Sequence, residues 1–531
     1  MAEARPQANP TNFEGMSVGV VGAGLTGVLM GIRLKLAGVR DFVIYEQAAD
    51  VGGTWLRNTY PGLHCDVPSH LYCYTFEPNP HWSLVFSGQA EIRDYFRKCA
   101  EKYGLIDHIQ FNTRVETAAF DEASGAWDLT LGDGSEARHR VLISATGGLT
   151  EPHIPNIPGL AAFRGEQWHS GHWRHDYDFT NKRVAVVGSA ASAVQVVPEV
   201  VRRAREVYVF QRTPNWVMPR RNVAYDAATQ AAFADPATKS AASHRRMLYR
   251  NALMTYQVFR RSPRAVGRLR RMALDHMRTH ISDPEMQAAL TPSYDPGCKR
   301  LLVSDDYYAA LAADHVQLID QGLGQVTETA AVASDGRVIE VDTIIFSTGY
   351  KLGGRADGRP AMHITGRDGL TLSRALSEQP EAYRGVAIPG FPNYFTINGI
   401  NGPIAYTSLI GSAEVHADYI VKRIRDIAEL DLRSVEIRLD VTRRYNDRIQ
   451  PELQTMSWAG ACQSFYKDDT GRILSFYPGT VGRMRREFRR LTLDDYLVDR
   501  RHSPEVASSA ETGACLSVND GPLPRGPSRL I

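Results

Sequence analysis

Gly22, Gly24 and Gly27 stand in the spacing G-x-G-x-x-G, between the apolar run "VGVV" and a stretch of helical periodicity. A bound dinucleotide needs that spacing: the first glycine makes the tight turn, the second lets a pyrophosphate approach the backbone, and the third lets helix and strand pack. The phosphates then rest on helix N–H groups at the positive end of the helix dipole. Glu46 ends the next apolar run, "FVIYE" (42–46), where a carboxylate can accept hydrogen bonds from ribose hydroxyls. An acid there disfavours a 2′-phosphate, so this turn is read as a site for FAD or NAD and not for NADP.

A second stretch, "KRVAVVGSAASAVQVVPEVVRRA" from Lys182, repeats the pattern with Gly188, Ala190 and Ala193 in the glycine places. Ser189, Ala191 and Ser192 fall on its phosphate turn, and the Ala190 methyl crowds the pyrophosphate. The run that follows, "VYVFQR" (207–212), ends in Arg212 where the first unit has an acid. A guanidinium suits a 2′-phosphate through charge-assisted, bidentate hydrogen bonds, so this site is read as NADP(H). Two such sites in one chain point to hydride transfer from NADPH to a bound flavin.

Positioning these residues requires two βαβ units. The apolar runs "RVLISATGG" (140–148) and "DTIIFSTGY" (342–350) are expected to add a strand to each, ending near the nucleotide crevice. The fold class is therefore α/β, with two Rossmann-like dinucleotide-binding domains and an inserted helical subdomain. The expected division is a flexible N-terminus at 1–15, an FAD domain in two parts (16–150 and 382–500), and an NADP domain in two parts (151–222, with a linker, and 297–381). A helical insertion occupies 223–296, and a Ser/Pro/Gly-rich disordered tail 501–531. Nine arginines lie between 245 and 271, broken up by Met247, Leu248, Leu253, Met254, Val258 and Phe259 in a helical pattern. That reads as a solvated amphipathic face and not as a nucleic-acid patch.

Composition sets outer limits. With 43% hydrophobic and 23% charged residues the chain is globular, and a net charge of +2 gives no bulk attraction to nucleic acid or membrane. The N-terminus shows no secretory signal, and the most apolar early run, Val18 to Ile32, is too short for a bilayer, so no stable membrane insertion is expected. Six cysteines (65, 73, 99, 298, 462, 515) are scattered without a C-x-x-C pair. This speaks against a zinc site or any metal, and against a redox-active disulfide; it fits a reduced, cytoplasmic setting. One connector, "FRGEQWHSGHWRH" (163–175), is unusual in carrying two tryptophans and three histidines. It must either pack between domains or take part in chemistry.

That connector carries a resemblance. Phe163, Gly165, His169 and Trp173 match the fingerprint F-x-G-x-x-x-H-x-x-x-W of the type I Baeyer–Villiger monooxygenases, class B flavoprotein monooxygenases; Arg174 departs from the Pro or Asp that follows. "GGTWLRNTYPGLHCD" (52–66) is similar to a second signature of that family, with Gly53, Trp55, Tyr60, Pro61, Gly62 and Asp66 in place. "GCKRLLVSDDYY" (297–308) resembles the segment that brings the family's active-site arginine. The likeness runs from about residue 16 to 500; Phe465 and Phe476 stand where relatives often have tryptophan.

The resemblance implies an NADPH- and O2-dependent enzyme that inserts an oxygen beside a ketone carbonyl, through a C4a-peroxyflavin, to give an ester or lactone. It implies that Arg300 stabilises negative charge beside the flavin, that Asp66 holds Arg300, and that Lys299 joins Arg212 and Thr213 on the 2′-phosphate. By the same likeness Trp55 lies near flavin and nicotinamide, Thr26, Thr54 and Tyr72 contact FAD, and His169 couples domain positions without acting as a proton shuttle. Phe163, Trp168 and Trp173 are expected as interdomain packing. The rival readings are a flavin-containing monooxygenase acting on sulfur or nitrogen, a flavin reductase or oxidase, and a nucleotide-sensing module. Neither the ketone nor the oligomeric state is legible.

Overall fold

The computed structural model describes residues 12–235, 238–351 and 362–501. The expected tail at 501–531, apart from Arg501, and most of the expected N-terminal arm lie outside these residues. The short valine- and isoleucine-rich runs form strands buried on both faces, which is why they read as continuous apolar runs and not as alternation. They assemble into two five-stranded sheets. The first is ordered Tyr394–Thr396, Val141–Ser144, Val18–Val21, Phe42–Tyr45, Ile109–Gln110, with every pairing parallel. The second is ordered Val316–Ile319, Glu206–Phe210, Arg183–Val187, Thr343–Phe346, Glu166–His169, again all parallel. The strand expected at 140–148 pairs with the first glycine-turn strand, and that at 342–350 with the second.

Each glycine turn leads into a helix, Leu25–Ala37 and Ala193–Val201. One face of the first sheet shares a core with Leu25–Ala37 and with the late helix Ile410–Glu429. Its other face is covered by a four-stranded sheet that brings Trp127 and Leu129 onto Leu142 and Tyr394. The second sheet has its own cores, Val184 and Val186 on one face and Ala185, Val187 and Phe210 on the other.

The insertion is helical: Ala227–Ala234, Lys239–Phe259, Pro263–His280 and Pro284–Leu290. Local signals start these helices: Thr238 accepts from the Ala241 N–H, and Pro263 and Pro284 occupy first-turn positions where no N–H is needed. Leu248, Val258 and Phe259 are buried, whereas Met247, Leu253 and the arginines face outward. Among the described residues, no helix is long and apolar enough to cross a membrane.

Two expectations are corrected. The "FRGEQWHSGHWRH" stretch is not a mere connector, because Glu166–His169 is the edge strand of the second sheet, paired with Thr343–Phe346. Cys298 and Cys462, 164 residues apart, form a disulfide. Local spacing carried no sign of it, since tertiary folding alone brings the two together.

Burial sets an acid limit on this fold. It holds the buried His416 imidazole down to about 3, and those of His70 and His169 to about 4. Between these values and the ordinary pKa of about 6.5 the unfolded chain binds protons that the folded chain refuses, so stability falls as pH falls through that window. We expect the thermal midpoint to drop between pH 7 and pH 5, and to drop less steeply in His416→Gln. An equal slope in the variant would show that His416 does not carry the effect.

Candidate active site

The first glycine turn is held by contacts that leave no room for side chains. A Cβ on Gly27 would lie 1.8 Å from the Gly22 carbonyl oxygen, and one on Gly22 2.7 Å from that of Ala145. Strand and helix therefore meet backbone to backbone, and Thr26 adds a hydrogen bond from its hydroxyl to the Ala145 carbonyl at 3.4 Å. Glu46 is buried at the strand end, its two oxygens accepting from the N–H groups of Ala23 (2.7 Å) and Ala48 (2.8 Å). Each carboxylate oxygen keeps a lone pair for a further donor. The cradle fits a nucleotide: glycine backbone, a helix N-terminus and an acid at the ribose position.

The second signature folds against this turn. A Cβ on Gly53 would come within 2.9 Å of the Gly24 Cα, so the Gly52-Gly53 backbone lies directly on the first turn. Thr54 opens the short helix Thr54–Arg57 and is exposed, while Trp55 is buried and donates from Nε1 to the Tyr72 hydroxyl at 3.1 Å. Their rings meet edge to face at 5.6 Å.

The same segment then crosses to the second unit. The Asn58 amide oxygen accepts from the Tyr350 hydroxyl, Thr59 meets His175, and Tyr60 donates to the Gln195 amide oxygen at 3.3 Å. Gln195 donates in turn to the His64 carbonyl at 2.9 Å. This seam fixes Asp66, which accepts two hydrogen bonds from Arg300, at 2.8 Å from Nε and 2.7 Å from Nη2. The pair joins residues 234 apart in sequence. With side chains 39% and 28% exposed it is open enough for a small molecule to reach. The adjacent carboxylate holds the Arg300 proton even more firmly than usual, so the group is a permanent cation. Tyr466, buried on a loop of the late chain, lies within electrostatic reach of both charges, and burial pushes its hydroxyl up to about 12.

At the second turn Gly188 has φ +120°, and a Cβ there would lie 2.4 Å from the Ser347 carbonyl. Ser189 donates from its hydroxyl to the Thr213 carbonyl (3.1 Å), which ties the turn to the next strand end. Ala190 and Ala191 are exposed, and Ser192 begins the helix Ala193–Val201. Arg212 is exposed at the strand end and close enough to Lys299 to be felt: burial first, and then Arg212, lower the Lys299 ammonium below its usual range. Among the described residues neither cation is paired with a carboxylate, and Lys299 sits over the Tyr294 ring at 5.2 Å. Two mutually repelling cations are what an anion such as a 2′-phosphate would relieve.

The fingerprint residues lie along the edge strand of the second sheet and the turn that follows it. Phe163 packs in one core of the second sheet, and Trp168 packs in the other with Trp173, Tyr177 and Phe179 around it. These rings pack in the cores of the second sheet, and the cluster that holds Trp168 and Trp173 also takes in Tyr60 and Leu63 of the crossing segment. A Cβ on Gly165 would strike the Phe163 ring at 2.5 Å, which accounts for that glycine. His169 is buried, neutral at pH 7, accepts from the Gly171 N–H at 3.0 Å, and meets the Tyr350 ring edge to face at 5.4 Å. Through Tyr350 it touches Asn58, so the link between units runs His169–Tyr350–Asn58. Arg174 pairs at the surface with Glu166 and Asp176, away from the cleft. Phe465 is 62% exposed, and Phe476 packs on Trp458 and Tyr466.

Sequence reasoning missed Asn58, Tyr350, Gln195 and Tyr466. Only their three-dimensional neighbours single them out, although Tyr350 ends the "FSTGY" run that was read as lying near the crevice.

Comparison with known proteins identifies the family. The flavin-binding monooxygenase-like family matches residues 15–235. A Baeyer–Villiger monooxygenase of Streptomyces coelicolor is 39% identical over 94% of this chain and 96% of its own length. One from Pseudomonas aeruginosa is 37% identical over 90% of each. Among solved structures, an oxidized steroid monooxygenase bound to NADP superposes with a TM-score of 0.81 at 28% identity, covering 91% of this chain and 99% of that one. A closed cyclohexanone monooxygenase, at 24% identity and a TM-score of 0.80, shares the fold. The chain belongs to the Baeyer–Villiger monooxygenases.

Proposed function

We propose that the protein is an NADPH- and O2-dependent flavin monooxygenase that inserts one oxygen atom beside a ketone carbonyl and releases an ester or lactone. The observation that carries this reading is the Asp66–Arg300 pair, a fixed and partly exposed cation, in a chain with two glycine turns of opposite charge preference. On this reading the first sheet belongs to the FAD domain (16–150 and 382–500). The second sheet belongs to the NADP domain (151–222 and 297–381), with 223–296 as the helical insertion.

FAD would lie on Gly22, Gly24 and Gly27 with its ribose on Glu46, flanked by Thr26, Thr54, Trp55 and Tyr72. NADPH would lie on Gly188, Ser189, Ala191 and Ser192, with its 2′-phosphate among Arg212, Thr213 and Lys299. The flavin, once reduced, supplies the activation of O2. The chain supplies the rest. Arg300 stabilises the oxyanion that develops on the ketone oxygen under attack, a preorganised charge that needs no reorientation during reaction. Asp66 fixes the plane of that guanidinium through two parallel hydrogen bonds. Trp55 and Tyr72 wall the site with buried aromatic surface and keep water from it. Reaction at a soft sulfur or nitrogen centre develops no such oxyanion, which is why Arg300 favours a ketone over the heteroatom alternative.

We expect Arg300→Ala to keep its FAD and to accept hydride from NADPH, yet to lose ester formation by about 100-fold or more. Flavin absorbance, anaerobic reduction and product chromatography measure the three steps. Ester at the wild-type rate, or oxidation of thioethers with no turnover of any ketone in the parent protein, would overturn the reading. We expect Arg212→Ala to raise the KM for NADPH about tenfold while leaving that for NADH within about twofold, the loss of one charge-assisted contact. Equal changes for both nucleotides would remove Arg212 from the 2′-phosphate.

A further inference from the structure

Arg300 lies in irregular backbone, outside any helix or strand. Two fixings flank it. On one side, Leu302–Val303 pairs with Val217–Met218. On the other, two residues before Arg300, Cys298 is bonded to Cys462. Both cysteines are buried. The loop around Cys462 is pressed onto the arginine segment: a Cβ on Gly460 would lie 2.9 Å from the Cys298 sulfur, and one on Gly297 2.7 Å from the Ser457 hydroxyl. Lys467 closes the loop by donating to the Gly460 carbonyl at 2.6 Å, and Asn401 donates from its side-chain amide to the carbonyls of Ile473 and Phe476. Tyr466, within reach of Arg300 and Asp66, follows Cys462 by four residues. One covalent bond therefore joins the segment that carries the cation to the loop that carries Tyr466.

We propose that Cys298 and Cys462 are positioning residues for the oxygen-transfer step: their disulfide holds Arg300 in register with Asp66 and the cleft, and reducing it uncouples NADPH oxidation from ester formation. This rests on the proposed function of Arg300. A dithiol breaks the S–S bond by thiol–disulfide exchange, giving up two electrons and two protons. Cys298 and Cys462 become thiols and the reagent becomes its own cyclic disulfide. The nucleotide turns are built from separate strands and helices, so FAD retention and, at saturating NADPH, hydride acceptance do not depend on the bond; Lys299, next to Cys298, makes the KM for NADPH the one nucleotide parameter free to change. Placement of the guanidinium does, and a misplacement of about 1 Å can cost about 100-fold in such a step.

The experiment begins with the protein as purified, alkylated while unfolded and digested without reduction. The Cys298 and Cys462 peptides are expected as one linked species, and finding both alkylated would overturn the proposal. Cys298→Ser, Cys462→Ser and the double variant are then compared with wild type treated with dithiothreitol. All four should retain FAD and, at saturating NADPH, reduce it at the wild-type rate, and all four should show the ester formed per NADPH falling by the same factor of about ten, with hydrogen peroxide making up the difference. The double variant should be no worse than either single one, and dithiothreitol should leave the Ser variants unchanged. A lowered thermal midpoint with unchanged ester per NADPH would make the bond merely structural and overturn the positioning role. Failure of the Arg300 reading itself is seen separately, as ester made by Arg300→Ala with the cysteine pair intact.

Discussion

The site depends on a charge pair that neither half of the chain can build alone. Asp66 comes from the segment that folds over the first glycine turn, and Arg300 from the second unit's side. A partly buried guanidinium is costly unless its charge is answered and its N–H groups are bonded, and the bidentate carboxylate does both. The pair holds only if the two units keep a fixed separation. The hydrogen bonds of Asn58, Thr59, Tyr60 and His64 to Tyr350, His175 and Gln195 set that separation within a few residues of Asp66.

The two nucleotide turns use one geometry with opposite electrostatics. At the first strand end a carboxylate, Glu46, closes the turn by accepting from backbone N–H groups. At the equivalent place in the second unit stands Arg212, whose charge lowers the Lys299 ammonium, and among the described residues neither is paired with a carboxylate. The contrast lies in which side chain ends the second strand.

The parts of this arrangement that are local were legible in the sequence. Glycine spacing, continuous valine runs and the residue that ends each strand are set by contacts between near neighbours in the chain. The Asp66–Arg300 pairing was legible only by resemblance, because 234 residues separate the partners. The aromatic residues of the fingerprint were legible as buried but not in their neighbours, since a cluster of large rings says that burial occurs but not against what. Trp168 packs with second-sheet residues in a cluster that also takes in Tyr60. The disulfide was invisible, because two single cysteines in distant motifs carry no local geometry.

The equality of strand order has a consequence for the order in which the sheets can be completed. Val18–Val21, Phe42–Tyr45, Ile109–Gln110 and Val141–Ser144 correspond one for one to Arg183–Val187, Glu206–Phe210, Val316–Ile319 and Thr343–Phe346. Only the fifth strand comes from a different place: Tyr394–Thr396 follows the other four of its sheet in the chain, and Glu166–His169 precedes them. The two four-stranded units thus follow one another in the chain, and only the edge strand Tyr394–Thr396 returns past the second unit to complete the first sheet, so the first sheet closes only after the second has been made. At equivalent positions the units differ in the space they leave: a Cβ on Gly27 would lie 1.8 Å from a carbonyl, while the corresponding Ala193 is accommodated and buried.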